Sequence, residues 1–170
     1  MTELDFVDLT FVNFRDHSFP EGSAHGFRWV DLRSFCFPRG NQDRGLLAAV
    51  VAHDQFRDDC AGGGVDPAGT RHGPYWLRAV GPDGYQPVSR TETEQVLRQW
   101  AGQHGALPDS LEDALDTALF AVVNSASRLY RLRDLSSAVH DWSGVHIDFH
   151  EFIAIDDERQ LLTLLVAADD

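Results

Sequence analysis

No lysine occurs in this chain: all fourteen basic residues are arginine. Without a side-chain amine there is no Schiff base and no covalent pyridoxal phosphate site. The P-loop lysine that reaches nucleotide phosphates, and the lysine that bridges phosphates in kinases, are excluded with it. A GC-rich bacterial genome, which also favours Ala, Gly, Arg and Asp, is a sufficient origin for this bias. Cysteine is scarce too. Cys36 and Cys60 are not in CxxC spacing and read as two free thiols of a cytoplasmic protein. The longest apolar run, Leu46 to Ala52, falls far short of the roughly 20 residues that cross a bilayer. The first residues, Met1-Thr2-Glu3-Leu4-Asp5, lack the basic and apolar regions of a signal peptide.

Positive charge is outweighed: 14 arginines face 27 acids, giving a net charge of −13. Such a surface repels phosphate backbones and anionic lipid, so neither general nucleic-acid binding nor membrane binding is expected. It suits a basic protein partner or a cation, although solubility alone also accounts for it. At 170 residues the chain reads as one domain, residues 1–170, able to bury roughly 70% of its unfolded surface.

Leu9 to Phe14 and Phe27 to Leu32 read as strands. Eight of the eleven phenylalanines precede residue 60, so the first third is expected to supply much of the aromatic core. Residues 46–56 lean towards a helix, with a buried strand as the competing reading. A loop follows to Gly73, then a strand over Tyr75–Val80, a turn at Gly81–Gly84 and a short partner strand over Tyr85–Val88. Thr91 and Glu94 have capping-box spacing ahead of a helix. Asp109 and Glu112 repeat it before a longer one whose apolar positions run from Leu111 to Leu129. Arg128, Arg131 and Arg133 then complement that helix's dipole, or else bind a phosphate or an acidic partner. Val145–Ile155 and Leu161–Ala167 read as a C-terminal β-hairpin. The expected class is α+β: a mostly antiparallel sheet with about three helices packed on one face.

The sharpest local pattern is His146, Asp148 and His150, alternating with Val145, Ile147 and Phe149. On a strand these three side chains share a face, and imidazole with carboxylate suits a divalent transition metal. Residues two apart are about 7 Å from each other and can share an ion, whereas His146 and His150 are about 13 Å apart and cannot. A site therefore needs Asp148 with one of the two, plus donors such as His140 or His72. The polar face of a half-wet strand explains the same alternation. His53 beside Asp54 has the look of a base with its orienting acid, or of a solvated helix end. Cys36, between Phe35 and Phe37, reads as a packed thiol. Cys60, after Asp58-Asp59, reads as a poor nucleophile. Trp29, Trp76, Trp100 and Trp142 either line a pocket or belong to the core. The glycines at 62–64 match neither dinucleotide nor Walker patterns.

Three functions follow as expectations. The first is a non-catalytic interaction or regulatory protein, of inhibitor or immunity type, that meets a basic partner through its acidic surface. The second is a metal-dependent hydrolase built on Asp148 with His146 or His150. The third is a small-molecule binder with a pocket lined by Trp29, Trp76 and Trp100. Antiparallel edges and the Phe-rich first third also make a homodimer an expectation.

Overall fold

The computed structural model describes residues 2–20, 27–141 and 143–170. Its centre is the C-terminal hairpin, β7 (Asp148–Asp156) and β8 (Leu161–Asp169), paired antiparallel along their whole length. β8 is apolar on both faces because both faces are covered. Leu162 and Leu164 point into one core, Leu165 and Ala167 into the other. β1 (Asp5–Asn13) and β2 (Arg28–Cys36) lie beyond β8, while β6 (Arg128–Leu132) and β5 (Tyr85–Val88) lie beyond β7. The result is a six-stranded antiparallel sheet in the order β1-β2-β8-β7-β6-β5.

Three helices complete the α+β fold. One sheet face carries α2 (Arg90–Gly102) and α3, which runs as α-helix over Asp109–Leu115, widens to a π-helix over Asp116–Phe120 and ends as α-helix over Ala121–Ser125. Leu97, Trp100, Leu111, Leu119 and Val123 seal that face against Val30, Phe152 and Leu165. The other face carries α1 (Asp43–Ala52), whose Leu46, Leu47 and Val50 meet Phe35, Ile153, Ile155 and Leu162. The sequence placed all three helices together. A central hairpin that is apolar on both faces instead divides them between the two.

Residues 46–56 resolve in favour of helix, ending at Ala52 before a 3₁₀ turn over Asp54–Phe56. α2 begins two residues earlier than expected. Its capping box is Ser89 with Glu92, where the Ser89 hydroxyl accepts from Glu92 N at 3.1 Å and Glu92 accepts from Ser89 N at 3.2 Å. Tyr75–Val80 is not the partner of β5. Only Tyr75–Trp76 (β4) is extended, pairing with Arg71–His72 (β3) in a separate ladder, while β5 pairs with β6.

β6 is the element that helical periodicity concealed. α3 stops at Ser125, and Ala126 is already extended. Leu129 and Leu132 fit a helical stripe, but as strand residues they enter opposite cores. The arginines here therefore do not complement a helix end. Arg128 pairs with Asp43, its Nε 2.7 Å from Oδ2, and with Asp157.

Two buried polar clusters tie the irregular segment between α1 and β5 to the sheet. Arg33 Nε donates to Asp31 at 3.0 Å, and its Nη2 donates to Asp58 at 2.5 Å. His72 Nε2 lies 2.5 Å from Glu151, which also accepts from the Tyr85 hydroxyl. Between them Gly73 sits beneath Phe149. A Cβ at Gly73 would come within 2.4 Å of that ring, so this position admits no side chain.

Candidate functional site

β6 and β7 stay paired only as far as Arg131 opposite Phe152, whereas β7 and β8 continue to Asp148 opposite Asp169. From Asp148 to Glu151, β7 therefore has no β6 neighbour. The connection between the two strands swings away through 3₁₀ turns at Ser136–Ala138 and Ser143–Val145. The notch left behind is a cleft of about 620 Å³. This lies within the range of roughly 300–1,000 Å³ typical of small-molecule sites.

His146, Asp148 and His150 all border this cleft, but they do not act as a set. His146 precedes the strand, and its ring is buried on other business: Nε2 is 2.8 Å from the Asp59 carbonyl, and Nδ1 is 3.2 Å from an Asp170 carboxylate oxygen. Asp148 accepts from the Gln103 side chain at 3.0 Å. His150 is half-buried. Burial pushes its pKa below the ordinary 6.5 and Arg131 pushes it further, against the opposing pull of Asp148 and Asp169. The shift favours the neutral ring. Asp148 and His150 share the face that bears Phe152, two residues apart on one strand. Among the described residues, no group of three or more His, Cys, Asp or Glu side chains is placed to hold a metal ion. His72 and His140 are buried elsewhere, His140 with Nε2 2.6 Å from the Gly73 carbonyl.

No family model matches this sequence, and no curated protein matches it. Among solved structures, citrus MAF1 is similar at 12% identity, over 91% of this chain and 94% of that chain, with a TM-score of 0.42. A likeness at that level carries no argument about activity or partner.

The remaining singled-out residues separate in space. Trp100 is 2% exposed, its ring tilted against Phe14 and under the Arg28 guanidinium. Trp29 borders a different cleft beside Phe11, and Trp76 a third beside Arg71 and Arg57. Trp142 lies outside the described residues. His53 follows α1 and caps the 3₁₀ turn after it, accepting from Gln55 N at 3.1 Å while its ring edge meets Phe35. Cys36 is exposed rather than packed, because strand alternation buries Phe35 and turns its neighbour outward. Burial, with Asp58 nearby, pushes the Cys60 thiol well up, away from a thiolate.

A second surface emerges that the sequence did not signal. β1 is an edge strand, and its residues from Asp5 to Phe11 are all exposed. Phe6 is 40% exposed, Val7 54%, Leu9 48% and Phe11 52%. The opposite edge, β5, is only four residues long and contains Pro87, two features that blunt an edge. β1 has nine residues, no Pro and no Lys, and a single irregularity at Val7. Among the described residues no helix is long and apolar enough to cross a membrane, so this apolar strip is not part of a spanning helix.

Proposed function

We propose that this protein is a non-catalytic interaction domain that receives an extended, basic segment of a partner protein along the outer edge of β1. The observation that carries the reading is that edge itself: a nine-residue strand with no strand paired to its outer side among the described residues, and with Phe6, Val7, Leu9 and Phe11 exposed. Main-chain hydrogen bonds supply affinity in strand addition, and alternate side chains supply specificity. Glu3, Asp5 and Asp8 are exposed beside the apolar residues, and the chain as a whole carries −13. Those charges favour Arg and Lys on the incoming strand. They also disfavour a second copy of this chain, since two bodies of charge −13 repel. An inhibitor or immunity-type role is the biological form this reading takes.

The probe is a synthetic nine-residue peptide alternating arginine and valine, titrated calorimetrically. Binding should weaken several-fold as ionic strength rises, because contacts between exposed charges are screened within about 10 Å at 0.1 M salt. Val7→Lys and Leu9→Lys should each abolish it while altering stability by no more than about 0.5 kcal/mol, as exposed positions usually do. Salt-independent binding, or binding that survives both lysines, overturns the proposal.

The metal-dependent reading is its rival, favoured by one observation: Asp148 and His150 border the same cleft from one strand face. It requires saturable zinc binding that is lost in Asp148→Ala.

A further inference from the structure

The notch between β6 and β7 is lined by hydrogen-bonding groups that the fold itself does not use. Several arginines are held by carboxylates. Arg28 is held by Asp169, Arg33 by Asp31 and Asp58, Arg44 by Asp83, and Arg128 by Asp43 and Asp157. Arg131 and Arg133 differ. Both border the notch, and among the described residues neither guanidinium pairs with a carboxylate. Arg131 lies over the Phe152 ring, 5.6 Å from its centroid, and Arg133 is anchored through its backbone N–H to the Gly84 carbonyl. The Arg131 head is therefore held at the cleft by the ring, while Arg133 is fixed there only through its backbone. In a chain of net charge −13, two arginines two residues apart and without a carboxylate ion pair border one cleft.

Two further groups converge there. Gln86 sits opposite Arg131 on β5, and His150 faces the cleft from β7. Neither the Gln86 amide nor the His150 ring has a hydrogen-bond partner among the described residues. Tyr75, Leu132 and Phe149 form an apolar wall beside them. The carboxylates that also border the cleft, Asp134 and Asp148, bar anions from their own neighbourhood. Asp148 is already held by Gln103.

We infer that the β6–β7 notch is a binding site for a small organic oxyanion, its carboxylate or phosphate held by Arg131 and Arg133 with Gln86 and His150 completing the contacts, and its apolar body laid against Tyr75 and Phe149. Guanidinium is the group that matches a planar carboxylate or a phosphate with paired hydrogen bonds. A neutral imidazole and an amide add directional contacts at no cost in charge. The site is independent of the β1 edge, so either can fail without the other.

The test follows the His150 ring resonances by NMR while benzoate, phenyl phosphate, inorganic phosphate or zinc alone is added to the full chain. Saturable shifts with benzoate or phenyl phosphate are expected, and which of the two binds tighter identifies the preferred head. Inorganic phosphate, lacking the apolar body, should bind more weakly than phenyl phosphate. Arg131→Gln/Arg133→Gln should weaken binding at least about tenfold, equivalent to about 1.4 kcal/mol, and leave the Arg–Val peptide's affinity for β1 unchanged. Because Arg131 is half-buried, Arg133→Gln alone, at an exposed position, provides the check that does not depend on folding. It too should weaken binding. Equal affinity in wild type and Arg133→Gln overturns the inference, as does saturable zinc binding with no response to either aryl anion.

Discussion

Replacing Glu151 by Ala should destabilise the protein by about 3–5 kcal/mol, because it breaks a buried polar cluster and leaves its partners unsatisfied. That is a large part of the roughly 5–15 kcal/mol by which a domain is stable at all. Glu151 lies in β7 and is 2% exposed. Its two carboxylate oxygens accept from Tyr85 and lie against His72 Nε2. On the other side of the ring, His72 Nδ1–H donates to the Phe56 carbonyl at 2.7 Å, and the ring lies flat on Phe56 at a centroid distance of 3.5 Å. The carbonyl can only accept, so Nδ1 must carry a proton and the ring cannot turn to find another partner. In Glu151→Ala, the buried Tyr85 hydroxyl loses its acceptor and His72 Nε2 loses its partner. Glu151→Gln keeps the shape and one acceptor oxygen and should cost less, about 1–3 kcal/mol. Urea unfolding checks both. A midpoint in Glu151→Ala close to that of wild type would show that the cluster contributes nothing.

Arg33→Met should be nearly as damaging, again about 3–5 kcal/mol, because it strands two buried carboxylates at once. Arg33 holds Asp31, Asp58 and the Gln55 carbonyl, and thereby fastens the segment after α1 to β2. The deficit should depend on pH. Burial holds the Asp31 carboxyl above its ordinary 3.8 even with Arg33 opposing that shift. An acid whose folded pKa is raised contributes stability below its unfolded pKa and loses it as pH rises through the folded value. Without Arg33 the shift grows, so the deficit of Arg33→Met relative to wild type should be larger at pH 7 than at pH 5. A deficit that grows on acidification would mean that the carboxylates are stabilised by something other than Arg33.

How much of this was legible in the sequence depends on which physical signal dominated locally. The terminal hairpin could be read because apolar residues at consecutive positions, as in Leu164-Leu165-Val166, fit a strand covered on both faces. α2 and most of α3 could be read from their period. β6 could not, since Leu129 and Leu132 satisfy a helical stripe as well as a strand. Pairing with β5 and β7, which no local pattern encodes, decides between the two. Misplacing β6 also set Arg131 and Arg133 at a helix end, where dipole complementation competed with phosphate binding as their role; they instead border a cleft. His146, Asp148 and His150 were visible as a cluster, but the 3₁₀ turn at Ser143–Val145 delays the strand to Asp148 and sends His146 towards Asp59. The early phenylalanines were assigned to the core on composition. Phe14, Phe35 and Phe56 are there, fully buried. Phe6 and Phe11 are not, because β1 is an edge strand and nothing among the described residues covers its outer side. Edge position is a property of topology, and composition does not carry it.

Hydrogen–deuterium exchange across Asp5–Asn13, with and without the Arg–Val peptide, tests the docking edge most directly. In the free protein the outward-facing amides of β1 have no strand partner among the described residues and should exchange fast. On adding peptide, exchange across β1 should slow, while Tyr85–Val88 on the opposite edge should not change. Binding without protection of β1, or protection that appears at β5 instead, would contradict strand addition at this edge.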